Sequence, residues 1–277
     1  MSSPCRSLIP LVGAALLTAA VSLHGQAAES LTEDQMREFL LNAKVVRSRQ
    51  TGKGITSPYR LTLSNGKMIH DAAFQSVDEA RAYMQFGTGR AEMNFRDSYK
   101  YNLAAYELAK MLGLGDMMPV TVERRWQGKT GALSWWLDVK MDEEQRIQKG
   151  IHPPDAEAWN RQMHKMRVFG QLVHDTDRNL GNVLISGDWH IWMIDFTRAF
   201  RLFTALPRPR DLVRCNRGLL ENLRRLDAAE LKRRTNAWLN GLELQGVMAR
   251  RDKIVAHFDD LIAKKGEPEI LYGPPGQ

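Results

Sequence analysis

The chain has 277 residues, 43% apolar and 26% charged, with 39 Lys and Arg against 32 Asp and Glu for a formal net charge of +7. These values exclude disorder at scale and leave room for one bilobal domain or two small ones with an ample core. Cys5 and Cys215 alone cannot staple a small disulfide scaffold, and no aromatic interleaving of the basic residues marks a nucleic-acid binder.

The first residues run Met1-Ser-Ser-Pro-Cys-Arg6, then Leu8 to Leu23 is apolar apart from small residues, and Gly25-Gln-Ala27 or Gln26-Ala-Ala28 offers a cleavage point. This is a signal-peptide pattern over residues 1–28, so the chain is expected to be exported, to a periplasm or a secretory lumen. The apolar run is short for a spanning helix, which leaves an uncleaved anchor as the lesser alternative and no membrane span after cleavage. Cys5 precedes the run and is not placed for lipidation. Cys215 is expected to be packed or merely exposed.

Residues 29–48 are expected to hold a helix, with Thr32 as its cap and Gln35 completing a capping box. The loop Thr51-Gly-Lys-Gly54 follows, then strands over 59–63 and 67–74 joined by Ser64-Asn-Gly66. A helix over 97–112 carries Leu103, Tyr106, Leu108 and Met111 on its apolar face and stops at Gly113. Strands over 119–123 and 132–139 pair next, with Trp135 and Trp136 read as packing residues. Pro153-Pro154 breaks the chain before a helix that begins near Asp155 and runs through Leu172.

Asp177-Arg-Asn-Leu-Gly-Asn182 comes next and is the most informative stretch of the chain. Two short β-prone runs over 183–185 and 190–194, separated by Ser186-Gly-Asp-Trp189, read as a hairpin that ends at Asp195-Phe196. The hairpin places Asn182 just before its first strand and Asp195 just after its second, so both open at one end of the ribbon, where a metal could bridge them. Phosphoryl transfer needs a carboxylate to orient the attacking hydroxyl and accept its proton, and oxygen ligands for the cation on the nucleotide phosphates. Asp177 can fill the first role, Asn182 and Asp195 the second. Each residue alone is more often turn chemistry; the combination carries the inference. Arg178 and Arg198 are expected to be structural, pairing with nearby carboxylates or with phosphate.

Beyond Pro207-Arg-Pro209 the sequence reads as helical, with a stripe at Leu219, Leu220, Leu223 and Leu226, a second capping box at Asp227 and Glu230, and a further stripe through Ile254 and Phe258. Between Arg201 and Lys265 stand fifteen Lys and Arg against eight Asp and Glu. The surplus is expected to lie mainly on solvated helix faces, Arg224-Arg225, Lys232-Arg-Arg234 and Arg250-Arg251 included, with recruitment of an acidic partner as the alternative. Residues 267–277, rich in Pro and Gly, are expected to form a loosely held tail.

Val173-His-Asp-Thr-Asp-Arg-Asn-Leu-Gly-Asn182 and Met193-Ile-Asp-Phe-Thr-Arg-Ala-Phe200 resemble the atypical kinases of the secretory pathway, the Golgi casein kinase family, and their bacterial relatives. More distantly they are similar to phosphoinositide kinases and HipA-like kinases. Ala72-Ala-Phe-Gln75 looks like the strand that carries the nucleotide lysine, and the segment from Tyr99 to Gly113 like the helix after it. Met118-Pro-Val-Thr-Val-Glu-Arg124 also fits, so the resemblance covers roughly residues 50–205. It implies an α+β, bilobal protein-kinase-like fold, with a mostly β small lobe over 49–142 and a helical large lobe over 143–266. It implies ATP and Mg²⁺ or Mn²⁺ as cofactors and a hydroxyl-bearing protein, sugar or lipid as acceptor. Gly52, Lys53, Gly54, Gln75 and Asn102 become the expected nucleotide contacts.

Gln75 and Asn102 depart from that family, which has lysine and glutamate at these places. A neutral amide still bonds phosphate but forfeits the stronger charge-assisted bond. The missing charge could come from Lys53, Lys67 or Lys100; Glu107 could face the site instead; or the chain could bind nucleotide without transferring phosphate, as a pseudokinase regulating a partner. In a third reading the chain is a secreted helical binding module and Asp177 to Asn182 form only a turn.

Overall fold

A computed structural model describes residues 1, 31–52, 58–87, 89 and 91–274. Residues 2–28 of the segment read as a signal peptide, Lys53 and Gly54 lie outside the described residues. Residues 32–277 form one compact α+β unit.

Helix α1 (Glu33–Asn42) opens on the full capping box between Thr32 and Gln35. It ends sooner than its apolar residues suggest, because Ala43 is extended and β1 (Lys44–Gln50) follows at once. Part of the helical segment expected at 29–48 is therefore strand. Arg124 fixes the change of direction by donating to the Leu40 and Ala43 carbonyls at 2.6 and 2.7 Å, satisfying helix-end acceptors.

Strands β2 (Tyr59–Ser64) and β3 (Ile69–Gln75) form the expected hairpin, closed by Asn65, whose side chain accepts from the Lys67 and Met68 amides. Between β3 and the next helix the chain inserts a second hairpin, β4 (Asp78–Gln85) and β5 (Ala91–Ser98), which is mostly exposed and lacks the apolar alternation of a half-buried strand. Its pairs Asp78 with Ser98 and Glu79 with Asp97 hold the last residues extended, so α2 (Lys100–Met111) starts three residues later than its periodicity predicts. Strands β6 (Thr121–Trp126) and β7 (Lys129–Trp135) follow, joined at Gln127 and Gly128. Both turn residues have positive φ, 48° and 79°, as a two-residue type I′ turn requires. The main sheet runs β1-β2-β3-β7-β6, with every neighbouring pair antiparallel. Leu61, Leu63, Ala72, Phe74 and Leu133 line one buried face.

Strand β8 (Met141–Asp142) leads into the short helix α3 (Glu143–Gln148), and α4 (Ala156–Leu172) is capped by Asp155 as expected. Strands β9 (Val183–Ile185) and β10 (Ile191–Met193) pair in register, Met193 opposite Val183, and β8 joins the other side of β9. Their turn places Trp189 at φ 67°, an uncommon position for a bulky residue, held by an edge contact with Trp159 at 5.9 Å.

The remainder is β11 (Cys215–Asn216), α5 (Arg217–Arg225), α6 (Ala228–Thr235), α7 (Gly241–Lys265), α8 (Glu267–Ile270) and β12 (Leu271–Tyr272). Three expectations change here. Asp227 caps α6, but the Glu230 carboxylate turns outward to Arg233 and Arg234, so only half of the second capping box forms. The tail is anchored through residue 272: β12 pairs with β11, and Ile270, Leu271 and Tyr272 are buried. Arg250 is not on a solvated face. It is fully buried, its guanidinium donating to the Leu172 and Arg201 carbonyls at 2.7 and 2.9 Å and to that of Phe203, while burial lowers its pKa to about 10. Much of the remaining basic surplus is paired within the chain: Arg224 with Asp259, Arg217 with Glu267, and Arg251 with Asp252 and the Leu226 carbonyl. Cys215 is completely buried, and desolvation raises its thiol to about 12, which makes it an inert core residue. Among the described residues no helix is long and apolar enough to cross a membrane.

Candidate functional site

Helix α4 delivers the chain into the Asp177 loop, and Arg178 ties that loop to the β9–β10 ribbon. Its guanidinium pairs with Asp175 at 2.6 Å and donates to the carbonyls of Asn182 at 3.0 Å, Ile194 at 2.6 Å and Asp195 at 3.4 Å. It also lies over the Phe196 ring, 4.1 Å from the centroid. A planar five-donor group suits this task, since it satisfies acceptors on two chain segments at once. The Ile194 amide donates to the Asn182 carbonyl at 3.2 Å, continuing the ribbon beyond Met193. Asn182 and Asp195 thus open at the same end of β9 and β10, as the hairpin spacing predicts. The structural roles expected of Arg178 and Arg198 hold, Arg198 being paired with Glu92 on β5.

Asn182 donates through Nδ2 to the Asp177 carbonyl at 3.2 Å, tying the loop to the ribbon a second time. A carbonyl only accepts, so Oδ1 of Asn182 points elsewhere. Asp195 has φ 56°, a left-handed conformation that Asp tolerates better than most residues, and its Oδ1 accepts from the Thr197 hydroxyl at 3.0 Å. Its Oδ2 remains. Hard oxygens are the ligand type of Mg²⁺ or Mn²⁺, which take one or two protein ligands and complete their shell with phosphate and water. Those of Asn182 and Asp195 do not amount to a cage: among the described residues no group of three His, Cys, Asp or Glu could hold a metal.

Asp177 is exposed at the mouth of the loop. Partial withdrawal from water raises its pKa, the charges of Asp195 and Asp175 push it the same way, and Arg198 opposes them. A carboxylate raised in this manner is a stronger base than an ordinary surface Asp.

Gln75 and Asn102 come together at the end of β3. Asn102, buried on α2, donates through Nδ2 to Gln75 Oε1 at 2.6 Å and accepts from the Phe196 amide through Oδ1 at 2.7 Å. The two amides are therefore bonded to each other, and they link sheet, helix and the turn of Asp195. Gly131, which precedes Gln75's partner Ala132 on β7, has no room for a side chain: an added Cβ would collide with the Gln75 carbonyl and lie 2.8 Å from the Phe74 ring.

The other expected contacts separate. Gly52 borders a loop whose neck is closed by the Thr51 amide and hydroxyl, both donating to the Pro58 carbonyl at 2.8 and 2.9 Å; a Cβ on Gly52 would meet only open space, so no close approach requires glycine there. Lys100 pairs with Asp78 at 2.8 Å, and Lys67 sits in the distal β2–β3 turn. Glu107 faces away, toward Arg37 and Arg234.

Two groups were not singled out by their sequence. Asp97, on the inserted hairpin, lies near Asp195 and Thr197; burial raises its pKa, and its Oδ1 is buried without a partner. Glu92 binds both Arg198 and Arg201 and so fixes the segment after Asp195 to β5. Their only signal was acidity in an otherwise unpatterned stretch. A cavity of about 380 Å³, bordered by Arg60, Asp71, Trp136 and Asp138, opens beside the main sheet. Asp71, Ala73 and Gln75 alternate on one face of β3, so this cavity and Gln75 share a side of the sheet.

No protein-family model and no curated protein matches the chain.

Proposed function

We propose that this chain is a kinase-like phosphotransferase that moves the γ-phosphoryl group of ATP to a hydroxyl acceptor, with its main sheet and α2 serving as the small lobe of a bilobal fold. The observation that carries the reading is the Arg178 brace, which gathers Asp177, Asn182 and Asp195 at one end of the β9–β10 ribbon. A loop that was only a turn has no need of a buried ion pair reaching three carbonyls across it.

In this reading Asp177 accepts the proton of the acceptor hydroxyl and holds it in line, a task suited to its raised pKa. Asn182 and Asp195 would hold Mg²⁺ or Mn²⁺ through one oxygen each, and the cation would neutralise charge on the phosphates. Gln75 would contact a phosphate oxygen. The cavity beside Trp136 and Arg60, on the same sheet face, offers an aromatic and guanidinium wall suited to a planar base. The signal-peptide pattern of residues 1–28 makes the enzyme an exported one.

A second reading, nucleotide binding without turnover, is favoured by one feature: the pair Gln75 and Asn102 carries no charge. One experiment separates the readings. The purified chain is titrated with Mn-ATP and then assayed for ATP consumption with mixed hydroxyl acceptors. Asp195→Ala is expected to lower nucleotide affinity at least tenfold, whereas Asp177→Ala should leave affinity within about threefold and abolish turnover. ATP bound but never consumed by the wild type selects the second reading, and no binding removes both.

A further inference from the structure

The three groups that join β3, α2 and the Asp195 turn differ in how freely they can be oriented. The Phe196 main-chain N–H can only donate, so the atom of Asn102 that meets it at 2.7 Å must be Oδ1. This fixes the other end of the same amide as Nδ2, and the atom of Gln75 that meets it at 2.6 Å must then be Oε1. The Gln75 NH₂ is left to point away from α2 with its hydrogens uncommitted to this chain of bonds. Amide orientations are normally assigned from their surroundings rather than seen; here one backbone donor dictates both.

We infer that Phe196, Asn102 and Gln75 form a one-way hydrogen-bond relay that offers an uncharged donor to an oxyanion ligand and holds the Asp195 turn in register with it. The ligand class is an acceptor-only group such as a phosphoryl oxygen, an assignment that rests on the nucleotide reading above. Asn102 is a positioning residue: it touches no reacting atom but sets which end of Gln75 faces the ligand. Because Asn102 is buried, reversal of the amide would leave the Phe196 amide and the Asn102 NH₂ facing each other, two donors without an acceptor.

The relay makes a prediction opposite to simple restoration of charge. Lysine at position 75 cannot accept from Asn102 Nδ2, so Gln75→Lys alone sets an ammonium against an amide donor. Aspartate at position 102 still accepts from Phe196 but cannot donate, so Asn102→Asp turns Gln75 round and aims its carbonyl at the ligand. Together the two substitutions make a consistent set, with the ammonium donating both to the aspartate and to the ligand.

The test is titration of the full chain and its variants with Mn-ATP, with circular dichroism to check folding and the exchange rate of the Phe196 amide as a ligand-free readout. Asn102→Asp is expected to weaken binding about tenfold or more, and Gln75→Lys to bind no tighter than wild type. The double variant should return to within about threefold of wild type. Gln75→Met, which leaves the Asn102–Phe196 bond intact, should match the loss in Asn102→Asp. Tight binding by Gln75→Lys alone, or unchanged binding by Asn102→Asp, overturns the relay while leaving the nucleotide reading in place. If wild type binds no Mn-ATP, the nucleotide reading fails and the exchange data decide the relay. Phe196 protection kept in Asn102→Asp and lost at least tenfold in Asn102→Leu supports it; equal protection in both overturns it.

Discussion

Arg178 and Arg250 do the same work: each directs its donors to main-chain carbonyls that secondary structure leaves open. Arg250 has a consequence for pH, since it lies beside His174. Burial lowers the imidazole pKa to about 4, the positive charges of Arg250 and Arg201 push it the same way, and the hydrogen bond to the Ala205 backbone, with a smaller contribution from Asp175, opposes them only in part. The folded chain therefore keeps His174 neutral where the unfolded chain, with an ordinary value near 6.5, takes up a proton. The stability this contributes is fully present above about pH 6.5 and is lost as pH falls toward about 4. At pH 5 the loss is on the order of 1–2 kcal/mol, after allowance for the partial exposure of the ring. Thermal melts at pH 7.5 and 5.0 check it against His174→Asn, whose side chain tolerates the positive φ of 47° at this position. The variant is expected to lose less stability on acidification than wild type. An identical acid slope in both would place the effect on other groups.

At the scale of elements, the sequence was most legible where chemistry is local. The Thr32 and Asp155 caps, the Asn65 turn and the ribbon from Val183 to Met193 each depend on side chains within a few residues of the backbone they satisfy. The same is true of the loop from Asp177 to Asn182, whose bonds are mostly within the motif or to the strand it faces. Legibility failed where partners are distant. The β4–β5 hairpin has almost no buried face to print a period on its sequence, and Arg250 looks like any helix-surface arginine until α4 and the segment after Asp195 are brought to it. Gly131 belongs with these, being an ordinary strand glycine whose requirement appears only when β3 lies alongside. Gly131→Ala is expected to force β7 from β3 or to turn the Phe74 ring off its rotamer, costing about 1–3 kcal/mol. Because the displaced atom is the Gln75 carbonyl, the variant should also weaken Mn-ATP binding, whereas Gly128→Asn at the nearby turn should not. Chemical denaturation with parallel titrations reads both effects; a loss of stability with unchanged affinity would separate the sheet from the ligand site.

For the molecule as a whole, the question is whether residues 32–277 unfold as one body or as a sheet lobe and a helical lobe in succession. Contact density makes them one compact unit, and the bonds that cross it are buried: Tyr101 of α2 donates to Glu243 of α7 at 2.5 Å, and the Phe196 amide to Asn102. The far end is secured in the same way. Tyr272 is buried on β12, its hydroxyl donates to the Arg161 carbonyl in α4 at 2.5 Å, and its ring lies beside His164. Helix α4 leads directly into the Asp177 loop, so a defect at residue 272 is transmitted to the element that carries the proposed base. Tyr272→Ala removes a buried ring and its hydrogen bond at a cost of about 3 kcal/mol, which for a unit of this size lowers Tm by roughly 10 °C. If the unit is cooperative, calorimetry should show one transition displaced as a whole, and amide-exchange protection of β3 and β7 in the sheet should be lost at the same midpoint although the lesion lies on the opposite end of the chain. A sheet signal that stays at the wild-type midpoint while the helical signal falls would mean two independently stable lobes. In that case the bonds from α2 to α7 and to Phe196 orient the lobes without coupling their stability.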